Sequence, residues 1–98
     1  MPLTVTDIAI LQQERFTADG AVTGAAKYFA GVLIESGAAA TTVNIRDGTL
    51  VTDPIVQTFK VDVANTTRVF AMPGLIKFTS GIFVDMDANT ASVTVFYA

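Results

Sequence analysis

The stretch Tyr28-Phe29-Ala30-Gly31-Val32-Leu33-Ile34 limits this chain more than any other. It carries no charge, and large apolar side chains fall on both parities. A half-buried strand alternates apolar with polar residues, whereas a strand apolar on both parities calls for cover on both faces. Glu35-Ser36-Gly37 ends the run with turn chemistry, which leaves it too short to cross a bilayer as a helix. We therefore expect a central strand whose second face is covered by a partner, with Tyr28, Phe29 and Leu33 as candidate contact residues.

The rest of the composition bears on what that partner can be. The chain has 98 residues, enough for one domain near the small end of what a single core stabilises unaided. Charged residues make up 15%, below the roughly 25% usual for a soluble domain, while apolar residues reach 51%. Much of that apolar share is Ala, which is harmless outside; the remainder points to surface buried against other chains. No stretch approaches the ~20 apolar residues of a membrane helix, so no membrane partner is expected. The net charge is −3, and the six basic residues (Arg15, Lys27, Arg46, Lys60, Arg68, Lys77) are scattered singly. Nucleic-acid binding needs clustered Lys and Arg, so it is not expected either. Met1-Pro2-Leu3-Thr4-Val5-Thr6-Asp7 has no basic region and no long apolar core, so no secretory leader is expected there.

Along the chain, turn signals recur at the short spacing of an all-β domain. Residues 1–26 form the least regular part and are expected to be an N-terminal arm or loop region. Residues 4–11 suit a short strand or an extended arm lying on a neighbour, residues 12–15 lean weakly to helix, and residues 17–24 form a Gly-punctuated loop. From residue 27 the strands become regular. Thr41-Thr42-Val43-Asn44-Ile45-Arg46 alternates with Val43 and Ile45 facing in, and Asp47-Gly48 is a tight-turn dipeptide. Residues 55–63 follow Pro54 as a long amphipathic strand. Residues 68–72 form a strand ended by Pro73-Gly74, with a short one at 75–78. Residues 82–86 and 91–97 complete the set, with Val93, Val95 and Tyr97 inward. The expected fold is a single-domain antiparallel β-sandwich over residues 27–98, a jelly-roll or related Greek key, with seven or eight strands. Phe70 and Phe83 lie opposite the β-branched faces of their strands and are further candidates for inter-subunit contact.

The inventory of reactive groups is short. With no Cys and no His there is no thiolate metal site, thiol nucleophile, triad or histidine base. Carboxylate pairs could support glycoside hydrolysis, but Asp19, Asp47, Asp53 and Asp87 sit at turns, where Asp bonds to its own backbone. Asp85-Met86-Asp87-Ala88-Asn89 opens like a calcium loop, yet Thr90 and Phe96 stand where that loop needs Gly and Glu. It reads as a hairpin turn. No enzyme activity, metal or cofactor is expected. The nine aromatics include no Trp and suit core and interface anchors better than a sugar-stacking face.

Four pieces of the chain together resemble the small virion structural proteins of tailed bacteriophages. They are Tyr28-Phe29-Ala30-Gly31-Val32-Leu33-Ile34-Glu35-Ser36-Gly37, Thr41-Thr42-Val43-Asn44-Ile45-Arg46-Asp47-Gly48-Thr49, Pro73-Gly74-Leu75-Ile76-Lys77-Phe78-Thr79-Ser80-Gly81-Ile82-Phe83-Val84-Asp85 and Val93-Thr94-Val95-Phe96-Tyr97. The resemblance rests on their order and spacing within residues 28–97. It implies a non-enzymatic homotrimer on the outer surface of the capsid, a decoration or cement protein whose partners are itself and the major capsid protein. A tail, baseplate or fibre-base subunit is the nearest alternative, and a carbohydrate-binding host-attachment module is the alternative from another class.

Overall fold

The computed structural model describes residues 11–23 and 28–98. Eight strands follow in order: β1 (Gln12–Phe16), β2 (Gly20–Ala21), β3 (Tyr28–Ser36), β4 (Thr41–Asp47), β5 (Ile55–Val61), β6 (Thr67–Lys77), β7 (Ile82–Met86) and β8 (Thr90–Tyr97). They form two four-stranded sheets, β1-β8-β3-β6 and β2-β7-β4-β5, with every pair antiparallel. The first strand pairs with the last, the second with the seventh, the third with the sixth and the fourth with the fifth. That is one long folded hairpin rolled up on itself, closed by the β3–β8 and β4–β7 pairings. The chain is an antiparallel β-sandwich of jelly-roll topology, in which the roll leaves only short edges at most sides.

The boundary expected at residue 27 does not divide this fold. β1 and β2 lie inside the region read as an arm, yet they pair with β8 and β7. The weak helical lean of Gln12-Gln13-Glu14-Arg15 is overridden because β8 supplies a ladder along its whole length. Strand propensity is set by the neighbouring strand more than by the residues themselves. The strand or arm expected at residues 4–11 lies outside the described residues, apart from Leu11.

β3 is the central strand that the sequence led us to expect, but its apolar character on both parities has a local cause. Phe29, Val32 and Ile34 all join the same core, although Phe29 differs in parity from the other two. A bulge between Phe29 and Gly31 breaks the alternation against both β6 and β8, so the strand changes parity without changing face. The second face of β3 therefore presents only Gly31, Leu33 and Glu35 beyond the bulge.

The same irregularity explains Pro73-Gly74, which does not end a strand. Between the Phe29–Ile76 and Gly31–Ala71 pairs, β3 contributes Ala30 alone while β6 contributes Met72, Pro73, Gly74 and Leu75. Pro73 lacks an N–H, and this bulge on an edge strand is where its loss leaves no ladder bond broken. Gly31 sits opposite with φ of 155°. A Cβ there would stand 2.3 Å from the Phe70 carbonyl oxygen, so the close approach of β6 requires glycine.

Between the sheets, Phe29 packs its ring 6.0 Å from Phe59 and 5.9 Å from Phe78, and Phe59 lies 5.1 Å from Phe70. These tilted contacts tie β3 and β6 of one sheet to β5 of the other. Val43, Ile45, Ile82, Val84, Val93 and Val95 fill the rest of the interior. The buried hydroxyls are satisfied. Ser36 Oγ donates to the Val63 carbonyl at 2.6 Å and accepts the Thr66 N–H at 3.0 Å, and Ser92 Oγ donates to Glu35 Oε1 at 2.8 Å.

Candidate interaction surfaces

The five candidate contact residues separate once placed in the sandwich. Phe29 has no accessible surface and belongs to the core, because the bulge turns it inward. Phe70 also faces inward against Phe59 and is half-buried; it is Val69, at 62% exposure, that points to solvent. The expected orientation of this strand is reversed. Phe83 does lie opposite Ile82 and Val84, but it is buried, so it offers a partner almost nothing. Leu33 is half-buried on the outer face of β3, and Tyr28 is 39% exposed where that strand begins. Only these last two are positioned for contact.

The outer face of the β1-β8-β3-β6 sheet is built from two rows fixed by register. Arg15, Thr94, Leu33 and Val69 form one row; Gln13, Phe96, Gly31 and Ala71 form the next. Because Gly31 has no side chain, the second row has a hole in it. A dimple of about 80 Å³ lies there, lined by Leu11, Ala30, Gly31, Val69, Phe70, Ala71 and Phe96. β6, one edge of the sheet, adds Pro73 and the exposed Leu75 to the same outward parity. Sequence reasoning missed this surface because either face of β6 is apolar enough to be the inner one.

A second apolar surface stands on residues 48–54, between β4 and β5. Asp47-Gly48 is not a tight turn; the connection is longer, and its conformation is held from several sides. Asp53 Oδ2 accepts the N–H groups of Thr49 and Leu50 at 2.9 Å each, and Arg46 Nη1 donates to the Asp53 carbonyl at 2.8 Å. The Gly48 N–H reaches the Gly81 carbonyl at 3.0 Å. This frame holds Leu50 and Val51 in solvent at 61% and 51% exposure, beside exposed Ile55 and Val56 at the start of β5. An apolar pair inside a turn-rich stretch was the available sequence signal.

The acidic excess is carried by the connections and not by either sheet. The β1-β8-β3-β6 strands carry three basic residues (Arg15, Arg68, Lys77) against two acidic ones (Glu14, Glu35). The other described residues carry two basic ones (Arg46, Lys60) against six (Asp19, Asp47, Asp53, Asp62, Asp85, Asp87). The β2-β7-β4-β5 strands are balanced, Arg46 and Lys60 against Asp47 and Asp85, so the acidic excess among the described residues lies in the connections, at Asp19, Asp53, Asp62 and Asp87.

The carboxylates that might have suggested chemistry are held by donors of the protein itself. Arg46 Nε and Nη2 donate to Asp85 Oδ2 at 3.0 and 2.9 Å in a largely covered pair. Asp87 accepts the Thr41 hydroxyl at 2.6 Å, the Thr42 N–H at 2.8 Å and the Asn89 N–H at 2.9 Å. Thr41 also contacts the Thr90 hydroxyl. Asp47 accepts from the Ser80 N–H at 2.8 Å and from the Thr79 N–H and hydroxyl at 3.1 and 3.0 Å. No group of three or more potential metal-binding side chains gathers among the described residues.

These two caps make an acid-stability prediction. Burial works against the Asp47 carboxylate, but the Ser80, Thr79 and Gly81 donors outweigh it and hold its pKa below the ordinary range. Burial likewise opposes ionisation of Asp87, and the Thr41, Thr42, Asn89 and Thr90 donors prevail. A carboxyl whose pKa is lowered by folding stabilises the fold fully above its unfolded value of ~3.9. That contribution is lost as pH falls through the lowered value. Stability is expected to hold from neutrality to about pH 4 and to fall below it. The double variant Asp47→Asn, Asp87→Asn is expected to be less stable at pH 7 with a shallower acid limb. Parallel acid limbs in urea titrations would exclude this origin.

Comparison with models of known protein families, with curated proteins and with solved structures finds no match to this chain.

Proposed function

We propose that this protein is a non-enzymatic structural component of a phage virion, a decoration protein that self-associates and cements seams on the outer surface of the capsid. The observation that carries the reading is the pairing of a jelly roll with two solvent-facing apolar surfaces, one around Val69 and one at Leu50 and Val51. Such surfaces mark contact with other chains. A cement protein needs a stiff fold and sticky faces, and it needs no chemistry. The resemblance of residues 28–97 to phage virion proteins supplies the setting. Jelly rolls also serve as lectins; of the nine aromatic residues only Tyr28 is exposed, which gives a sugar little to stack on.

Labelled antibody against the protein, applied to intact virions that encode it, is expected to decorate the head. Label confined to the tail would move the protein to a baseplate or fibre role, and unlabelled virions would end the virion reading.

A further inference from the structure

We propose that the two halves of this chain, residues 1–51 and 52–98, are specific binding partners for each other, so that a chain opened within residues 48–54 stays one folded particle. The strand order carries the inference, which stands apart from the virion reading. β1 to β4 precede residues 48–54, and β5 to β8 follow them. Among the described residues, every ladder joins a strand of the first half to a strand of the second: β1–β8, β2–β7, β3–β6, β3–β8, β4–β5 and β4–β7. In both sheets the strands of the two halves therefore alternate. A half taken alone keeps no ladder, and each of its strands leaves its backbone N–H and C=O groups without a strand partner. Folding of either half and its binding to the other are one event.

The side chains sort in the same way and make the pairing specific. Phe29 of the first half packs on Phe59 and Phe78 of the second. The largely covered Arg46–Asp85 ion pair, at 2.9 Å, crosses between the halves. So do the bonds from the Ser80 N–H to Asp47, from the Thr41 hydroxyl to Asp87 and from the buried Ser92 hydroxyl to Glu35. A foreign strand could cover the apolar residues but would leave these polar groups unpaired. The covalent link between the halves, by contrast, passes through Val51 and Thr52, which are exposed and belong to no ladder. Such loop tips tolerate insertion and nicking. A short tether supplies an effective concentration on the order of millimolar, and small domains favour the folded state by roughly 10³ or more. The separated halves are therefore expected to bind with a Kd on the order of micromolar or tighter.

The test starts from the full chain carrying a protease recognition sequence between Val51 and Thr52, cut after folding. The cut protein is expected to keep the circular dichroism spectrum and the native mass of the uncut one at concentrations well above that Kd. Separated in urea and returned to buffer one at a time, each half is expected to lack a sheet spectrum. Remixing in equal amounts is expected to restore both spectrum and mass. Halves that part on cutting, a half that forms sheets alone or with itself, or a mixture that does not recover would each overturn the pairing. If the insertion prevents folding, the same sequence is placed between Leu50 and Val51; failure of both insertions would overturn it as well.

Discussion

Gly31→Val is expected to abolish the native fold under conditions where the wild type is fully folded. The backbone at this position has φ of 155°, which β-branched residues avoid. The added Cβ would also lie 2.3 Å from the Phe70 carbonyl oxygen and 3.1 Å from the Ala71 Cα. Neither atom belongs to a side chain that can swing aside, since β6 runs against β3 on both sides of the bulge. Relief would require moving an edge strand away from the core that Phe70, Met72 and Ile76 help to close. A domain of this size has roughly 5–15 kcal/mol of stability in total, and a backbone clash at a special φ belongs to the mechanisms that cost ~4 kcal/mol or more. Gly20→Ala is the matched control. Its Cβ would meet only the edge of the Phe16 ring, at 3.2 Å, and its cost is expected to stay within about 1 kcal/mol. Urea unfolding of both variants checks the contrast; equal stability would mean that β6 does not approach Gly31 as closely as described.

Phe29→Ala is expected to cost ~3–5 kcal/mol, the range for truncating a fully buried aromatic residue. The ring is inaccessible and sits at the junction of Phe59 and Phe78, so the space it leaves is bounded by rings anchored in different strands. Such walls collapse poorly, which places the cost toward the upper end. The same experiment separates the two roles this residue could have. An interface residue would leave monomer stability unchanged and lower the native mass; a core residue does the opposite. Phe83→Ala is expected to cost less, because Phe83 stands on the outer face of its sheet and is not one of the residues that fill the interior. A loss below about 1 kcal/mol for Phe29→Ala would contradict the packing between the sheets.

Several elements were legible because local chemistry and tertiary setting agree. β4 alternates from Thr41 to Ile45, and its buried positions are the predicted ones. β8 does the same through Val93, Val95 and Tyr97, and β7 has the bounds its residues suggested. In these strands one face meets the core and the other does not, so a period of two is written directly into the residues. β1 was not legible. Gln12-Gln13-Glu14-Arg15 has nothing to alternate, and it is a strand because β8 lies beside it.

The bulge at Ala30 hid more than any other feature. It turned Phe29 from a candidate contact into a core residue, made the Pro73-Gly74 dipeptide resemble a strand end, and obscured which face of β6 is inner. Parity arguments assume an unbroken ladder, and one residue facing four breaks that assumption; Gly31 and Pro73-Gly74 mark the place, but neither strand alone says that they meet. The loop at residues 48–54 was hidden for a similar reason: Asp47 does not bend back on its own turn but caps Thr79 and Ser80, far along the chain.

The amino-acid sequence by itself determined that this chain is an all-β sandwich with a short list of reactive groups, because alternation, turn residues and composition act over a few neighbours. Tertiary structure alone decided the jelly-roll order, the inward turn of Phe29, and the outward display of Val69, Leu50 and Val51. Those depend on which distant strands share hydrogen bonds, and pairing across the whole length of a chain leaves no local trace in its residues.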